Sequence, residues 1–214
     1  MKLLILYALI FITIFSCKRK EEHIFVIGQT YDNEQNVPIQ NVKVVLYGRK
    51  IESGSWSSTY TKLGSDVSDA QGSYSIDIEN IKASDFKIEL TKDNYYSHAV
   101  EYKTDDISKG NNVFNFGLHS IAFVKLYIKN SNPATNQDLF TYKITNFENN
   151  CFDCCTDSSY TYVGQNVDEY KKCKTYGAFN LIIKYTVRKN NEIKEYVDSV
   201  LTTPFDTITH NINY

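Results

Sequence analysis

The chain has 214 residues, with 23 Lys and Arg against 25 Asp and Glu, and a formal net charge of −2. This near balance provides no basic surface to collect nucleic acid, so a nucleic-acid partner is disfavoured. The 17 Tyr and 12 Phe, with only three Pro and many β-branched residues, favour an all-β fold over a helical one.

The first predicted element is a secretory signal peptide over residues 1–16. Met1 and Lys2 give a charged start, and the run from Leu3 to Phe15 is apolar except for Thr13. A helix needs about 20 apolar residues to cross a bilayer, and no later stretch approaches that length. The pattern therefore predicts a cleaved signal rather than a membrane-spanning helix.

The end of this run, Ile14-Phe15-Ser16-Cys17, resembles the lipobox of bacterial lipoproteins, with Ile where Leu is commoner. The resemblance implies cleavage before Cys17 and acylation of its thiol and of its freed amine. Several acyl chains together hold a protein on a membrane far more firmly than one chain does. The alternative is an ordinary cleaved signal with an incidental cysteine.

Residues 17–23 are predicted to be a lipidated tether, because Lys18-Arg19-Lys20-Glu21-Glu22 is a block of charge that stays solvated. The block resembles the signal that one large phylum of Gram-negative bacteria uses to send lipoproteins to the outer face of the outer membrane. It is equally compatible with a plain hydrophilic spacer. We therefore expect lipid anchoring at the cell outer membrane, facing either the surface or the periplasm.

Residues 24–118 are predicted to form the first of two consecutive β-sandwich domains. Short segments alternate between apolar and polar residues and are separated by turn residues. Alternate positions of a strand share one face, which predicts one buried face and one wet face. The apolar positions are Val42, Val44 and Leu46; Tyr74, Ile76 and Ile78; Phe86, Ile88 and Leu90; and Phe114, Phe116 and Leu118.

Two stretches of this domain resemble the carboxypeptidase regulatory-like, or transthyretin-like, β-sandwich family over about residues 25–105. They are Pro38-Ile39 before a strand and the turn Asp69-Ala70-Gln71-Gly72-Ser73-Tyr74. Asp69 is expected to bond its own downstream backbone, and Gly72 to adopt a positive φ. Where the family has Gly-Tyr the chain has Asn94-Tyr95, and Asn also tolerates a left-handed backbone. The resemblance implies a stabilising or interaction module without a catalytic centre.

Residues 119–214 are predicted to form a second β-sandwich, of immunoglobulin-like type. Its strands are expected at residues 123–129, 139–145, 178–188, 193–200 and 206–212. Leu181, Ile183, Tyr185 and Val187 should share one face. The sequence Lys189-Asn190-Asn191-Glu192 predicts a hairpin turn.

Four cysteines lie in the second domain: Cys151, Cys154, Cys155 and Cys173. In an exported protein whose Cys17 carries lipid, they are most simply two disulfides. A bridge between the adjacent Cys154 and Cys155 would be strained, which favours one bridge inside the cluster and one to Cys173. Such bridges would pin a polar loop over residues 146–165 that could serve in recognition. The alternative is a four-thiolate zinc site, which commonly uses two separated Cys-x-x-Cys pairs.

One short stretch of the chain has the form of a metal-binding pattern. His98-Ala99-Val100-Glu101 has the His-x-x-Glu form of zinc carboxypeptidases, with His210 downstream. Residues three apart on a strand point to opposite faces, so His98 and Glu101 are not expected to share an ion. His210 is expected to be a partly buried strand histidine. The acidic turns at 32–34 and 66–69 lack the spacing of a known calcium loop.

Nucleophilic triads and phosphate-binding glycine loops are also missing from the sequence. We therefore predict no enzymatic activity, no cofactor and no metal site. Trp56 and Tyr60 lie in a polar segment between strands, where an aromatic ring either contacts a sugar or protein ligand or caps the edge of the sandwich.

The predicted function is that of a membrane-anchored cell-envelope lipoprotein that acts by binding or scaffolding. Its expected partners are the membrane, through the lipid, and another envelope protein or a glycan. One alternative is an accessory subunit of an outer-membrane uptake or secretion complex. Another is a hydrolase with an unrecognised site, which would require a buried cluster of titratable groups.

Overall fold

A computed structural model describes residues 22–52, 55–56, 58–79, 83–147 and 153–214. The described part is built almost entirely of strands, which confirms the all-β prediction, with one 3-10 turn at Thr104–Asp106. None of its helices is long and apolar enough to span a bilayer. The strands are β1 (His23–Asp32), β2 (Lys43–Glu52), β3 (Ser55–Trp56), β4 (Thr61–Val67), β5 (Ser73–Glu79), β6 (Ala83–Thr91), β7 (His98–Lys103), β8 (Gly110–Val113), β9 (Phe116–Leu118), β10 (Ile121–Lys129), β11 (Leu139–Ile144), β12 (Tyr160–Val163), β13 (Asp168–Tyr176), β14 (Asn180–Lys189), β15 (Glu192–Leu201) and β16 (Thr207–Asn213).

Strands β1 to β9 form the N-terminal unit, a sandwich of two sheets. In one sheet β1 is central, with β5 antiparallel on one side and β8 and β9 parallel on the other. The second sheet is antiparallel throughout, in the order β4-β2-β6-β7, and the short β3 also pairs with β2.

Strands β10 to β16 form the C-terminal unit, which repeats the same topology. Its central β10 is antiparallel to β13 and parallel to β16, and its second sheet has the antiparallel order β12-β11-β14-β15. In an immunoglobulin sandwich the first strand pairs with the second. Strand β10 pairs instead with the fourth and last strands of its unit, so the pairing of its first strand departs from that pattern, and the immunoglobulin-like type stays a prediction.

Each unit has its own hydrophobic core between its sheets. The alternating positions predicted for the N-terminal unit are buried as expected, with Phe114 partly buried against them. In the C-terminal unit Leu181, Ile183 and Val187 are buried, and Tyr185 packs against the same core. Alternation between apolar and polar residues predicts these strands because one face of each strand packs against the core and the other faces solvent.

Turn residues fix the register at several strand ends. Gly72 has φ +75°, and a Cβ there would lie 2.3 Å from the Thr30 carbonyl oxygen. The Asp69 carboxylate accepts the backbone N–H groups of Gln71 and Ser73 at 2.9 and 2.8 Å. Asn94 takes the left-handed backbone expected of it, with φ 63°. These observations confirm the turn chemistry predicted from the sequence.

The two units meet end to end, where β1 ends and β10 begins. Strand β1 begins at His23, next to the tether, and ends at Asp32, which pairs with Leu118 beside the second unit. Strand β10 starts there at Ile121 and runs away to Lys129, which pairs with Asn213. At about 3.3 Å per residue each unit is roughly 30 Å long. We call the two units in succession the rod.

The joint between the units is packed with aromatic side chains. His119 stacks on Tyr176 with ring centroids 3.9 Å apart, and Tyr96 meets Tyr176 edge-on at 5.2 Å. Tyr96 belongs to the N-terminal unit but packs against the core of the C-terminal unit. Its N–H donates to the His119 carbonyl at 2.9 Å, and the His119 ring bonds the Glu34 carboxylate. Backbone and side-chain contacts together fix the angle between the units.

Candidate functional site

A groove lies at the end of the rod farthest from the predicted tether, and we call it the tip groove. It has a volume of about 290 Å³ and opens between β15 and β16, the edge strands of the two sheets of the C-terminal unit. Aromatic, cationic and amide side chains contribute to its wall. They are Asn132, Tyr185, Val187, Lys189, Glu192, Lys194, Tyr196, Asn213 and Tyr214.

The hairpin between β14 and β15 positions one wall of the groove. Asn190 and Asn191 have φ 49° and 65°, and Lys189 pairs with Glu192. Positive φ at both loop residues is the signature of a two-residue type I′ turn, so the predicted hairpin is confirmed. The register that it sets places Tyr185 opposite Tyr196, and their rings stack at 5.0 Å.

A buried polar network supports the floor of the groove. Lys189 Nζ donates to Asn130 Oδ1 at 2.8 Å and to the Asn132 carbonyl at 2.7 Å. Asn130 in turn donates to the fully buried Asp138 at 3.0 Å. Burial alone would raise the pKa of Asp138, but bonds from Asn130, Ala134 and Thr135 outweigh it and lower that pKa to about 2. Asp138 therefore stays ionised and holds the network together.

Tyr214 closes the inner side of the groove. Its ring stacks on Phe140 at 4.8 Å, and Lys189 Nζ lies 4.9 Å from the ring centroid. Burial and then the negative charge of Asp138 raise the pKa of Tyr214 to about 12. Its hydroxyl oxygen is buried and has no hydrogen-bond partner among the described residues. Such a group gains from a ligand or water that bonds it.

A histidine–aspartate pair joins β15 and β16 beyond the groove. His210 on β16 is half-buried and lies 2.8 Å from the Asp198 carboxylate on β15. This is the partly buried strand position expected for His210. The pair ties the edges of the two sheets below the groove.

Among the predicted disulfide cysteines, Cys155 and Cys173 form a bridge with an S–S distance of 2.08 Å. Cys154 is disulfide-bonded as well. Cys151 lies outside the described residues, so its pairing stays a prediction. Cys154, Cys155 and Cys173 are buried in the core of the C-terminal unit. The bridged segment thus packs inward and is not wholly the polar loop that was expected.

The bridged segment lies at the joint rather than at the tip. Residues 153–155 run beside β13, where Cys155 N–H donates to the Lys174 carbonyl at 2.8 Å. The Tyr96 hydroxyl lies 3.6 Å from Cys154 Sγ. The disulfides therefore stiffen the contact between the units.

The other predicted positions lie away from the tip groove. Cys17 is outside the described residues. The backbone of Trp56 is in β3, paired with Ile51 at the tether end of the N-terminal unit, and its side chain is outside the described part. Tyr60 is half-buried, with Arg49 Cζ 4.4 Å from its ring centroid. Burial, and then the nearby Glu101 carboxylate, raise the pKa of Tyr60.

His98 and Glu101 are on opposite faces of β7, as expected. His98 pairs with the inward-facing Leu90, and Glu101 pairs with Lys87 on the outer face. Among the described residues no group of three or more metal-ligating side chains comes together.

Known proteins provide only distant structural similarity. No family model matches the chain, and no curated protein matches it. The Bacillus anthracis TIE protein is 11% identical with a TM-score of 0.39, over 89% of this chain and 34% of that one. The chain thus spans about a third of that protein's length.

Two pilins are also similar in structure. The minor pilin GBS52 of Streptococcus agalactiae is 10% identical with a TM-score of 0.34, over 89% of this chain and 94% of that one. The shaft pilin SpaA of Lactobacillus rhamnosus GG is 9% identical with a TM-score of 0.31, over 91% and 97%. Likeness at these scores does not extend to function.

Proposed function

We propose that this chain is a lipid-anchored protein of the bacterial cell envelope that binds a partner at its tip groove and does not act as a catalyst. The observation that carries the proposal is the position of the groove. It opens beside Asn132 and Asn213, at the opposite end of the rod from His23 and the tether. A binding surface is most accessible to a partner when it points away from the membrane.

The reach of the rod follows from its covalent geometry. The proposed tether from Cys17 to His23 spans at most about 20 Å, since an extended chain gains about 3.3–3.6 Å per residue. Two units of roughly 30 Å add to this distance. The groove would then stand about 60–80 Å from the membrane surface, with the disulfide-braced joint keeping the rod stiff.

The N-terminal unit fits the role of a spacer. We assign it to the carboxypeptidase regulatory-like family on the strength of its Pro38-Ile39 and Asp69–Tyr74 segments. Tyr96 and His119 pack against Tyr176 of the second unit. A spacer that holds the second unit in position would make contacts of this kind.

The groove wall suits a ligand rich in hydroxyl groups, such as a glycan. Tyr185, Tyr196 and Tyr214 offer aromatic rings, while Asn132 and Asn213 carry amides that both donate and accept hydrogen bonds. A partner protein that presents such a glycan would meet the same surface.

Photocrosslinking in intact cells tests where the partner binds. A photoreactive residue at Asn132 should give adducts, whereas the same residue at Asn111, exposed at the tether end of the rod, should not. Equal labelling from both positions would contradict a binding site at the tip.

The proposed location is the cell outer membrane. Protease added to intact cells should cleave the chain if it faces the surface and spare it if it faces the periplasm. A Cys17→Ser variant should be released from the membrane in either case. Retention of that variant on the membrane would contradict the lipid anchor.

A further inference from the structure

We propose that β15 is a self-association edge, through which two copies of this chain pair antiparallel about Val197. The inference does not depend on the proposed function. Strand β15 is ten residues long and ends its sheet, with β14 as its only partner strand among the described residues. An open edge of this length leaves a row of main-chain donors and acceptors for another strand.

The hairpin register shows which groups face outward. Because Lys189 and Glu192 flank a two-residue turn, they form a hydrogen-bonded pair, and such pairs recur at every second residue. The even-numbered residues of β15 therefore bond β14. The odd-numbered residues direct their N–H and C=O groups away from the sheet. Consistently, the Ser199 N–H is met by the side chain of Asp198, at 2.8 Å.

The outward residues are also unusually apolar for an open edge. Ile193, Val197 and Leu201 are 66%, 70% and 67% exposed. The strand contains no Pro and no Gly, and no register shift interrupts its pairing with β14. Natural proteins commonly block open edges with Pro, bulges or charged side chains. Four residues of β15 are charged, but Glu195 is the only one among the outward odd positions 193–201.

The order of the side chains identifies the partner as a second copy. On either side of Val197, the odd positions alternate in the same way between polar and apolar residues. Glu195 and Ser199 are the polar neighbours, and Ile193 and Leu201 are the apolar residues beyond them. A two-fold pairing centred on Val197 places Val197 against Val197, Ile193 against Leu201, and Glu195 against Ser199. Apolar residues then meet apolar residues, and no like charges face each other.

Two neighbouring two-fold registers are poorer. Centring on Glu195 sets that carboxylate against its own copy, which is destabilising. Centring on Tyr196 sets Ile193 against Ser199 and Glu195 against Val197, so each apolar side chain meets a polar one. The open edge at the far side of the same sheet, β12, has only four residues.

The pairing would join two four-stranded sheets into one continuous sheet. Tyr196 and Lys194 point to the opposite face from the odd residues and line the tip groove, so self-association leaves the groove lining in place. Because the strands are antiparallel, the two tethers would leave from opposite ends of the dimer. Anchoring both tethers in one membrane would hold the dimer along its surface, so pairing is an alternative to the upright arrangement proposed for a single anchored copy.

Cysteine crosslinking tests both the pairing and its register. In a hydrogen-bonded antiparallel pair the Cα atoms are about 5.5 Å apart, within the range of a disulfide. In the purified chain carrying Cys17→Ser, Val197→Cys should give a dimer under mild oxidation. Ile193→Cys alone should not, but a mixture of Ile193→Cys and Leu201→Cys should. Equal crosslinking of all single variants, or none from Val197→Cys, would overturn the proposal.

Sedimentation provides an independent measurement without a new cysteine. Val197→Lys should weaken the dimer at least tenfold, because two ammonium groups would face each other across the two-fold axis. Val163→Lys is the matched control, since Val163 is 62% exposed on the opposite edge strand β12 and should leave the association unchanged. A monomer at every concentration, or equal effects of both substitutions, would contradict pairing through β15.

Discussion

Asp138 illustrates how a single buried carboxylate organises the tip of the molecule. It accepts bonds from the Asn130 amide, from the Ala134 N–H and from both the N–H and the hydroxyl of Thr135. Hydrogen bonds to a buried charge are stronger than those between neutral groups. No sequence pattern marks this role, because an isolated Asp in a polar segment has the composition of an ordinary turn.

Replacing Asp138 with Asn should lower the free energy of unfolding of the C-terminal unit by about 2 kcal/mol, because an amide N–H₂ would face other donors. Chemical denaturation measures the loss. Asp168→Asn is the control, since replacing that exposed carboxylate should lower the free energy of unfolding much less. Equal losses from the two substitutions would contradict the role of the buried network.

The lowered pKa of Asp138 also predicts a pH dependence. Its stabilisation should be complete above the ordinary value of 3.8 and should be lost as the pH falls towards about 2. Asp138→Asn should therefore differ most from the natural chain at neutral pH. The two chains should converge in stability at the acid end of this range.

At the scale of single elements, the strands were predictable and their order was not. Alternation marks a strand because each one buries a single face, as in Tyr74, Ile76 and Ile78 of β5. The hairpin at Asn190 was predictable because its turn chemistry is local. The pairing of β10 with β16 joins segments about 80 residues apart and leaves no local signal. The groove escaped prediction for the same reason, since its walls come from four separate segments.

The disulfide between Cys155 and Cys173 links the bridged segment to β13 across a sequence separation of 18. Replacing both cysteines with Ser should lower the free energy of unfolding by about 3 kcal/mol, mainly because the unfolded chain gains conformational freedom. Thermal unfolding followed in the C-terminal unit measures this loss. Reduction of the natural chain should produce a loss at least as large. No change in either experiment would contradict a stabilising bridge.

At the scale of the whole molecule, two units of like topology are held together by contacts at the joint. The contacts of Tyr176 with His119 and Tyr96 connect cores that are otherwise separate. Burial of aromatic rings between the units should couple their unfolding. The sequence alone did not indicate how closely the units pack, because the contacts of Tyr176 join residues that are far apart in the chain.

Tyr176→Ala should uncouple the units. The natural chain is expected to unfold in one calorimetric transition, and the variant in two, with the rod bending more freely in small-angle scattering. Tyr170→Ala removes a tyrosine that is 64% exposed on the same strand and should change neither measurement. A single transition in Tyr176→Ala would indicate that other joint contacts carry the coupling.

The proposed lipid anchor would determine which end of the rod is free, so the whole proposed function depends on it. Its most direct test is the mass of the amino-terminal peptide of the protein recovered from cell membranes. We predict a peptide that begins at Cys17 and carries a diacylglyceryl group, with or without a third acyl chain on its amine. A membrane-derived peptide with unmodified Cys17, or one that retains residues 1–16, would contradict the account.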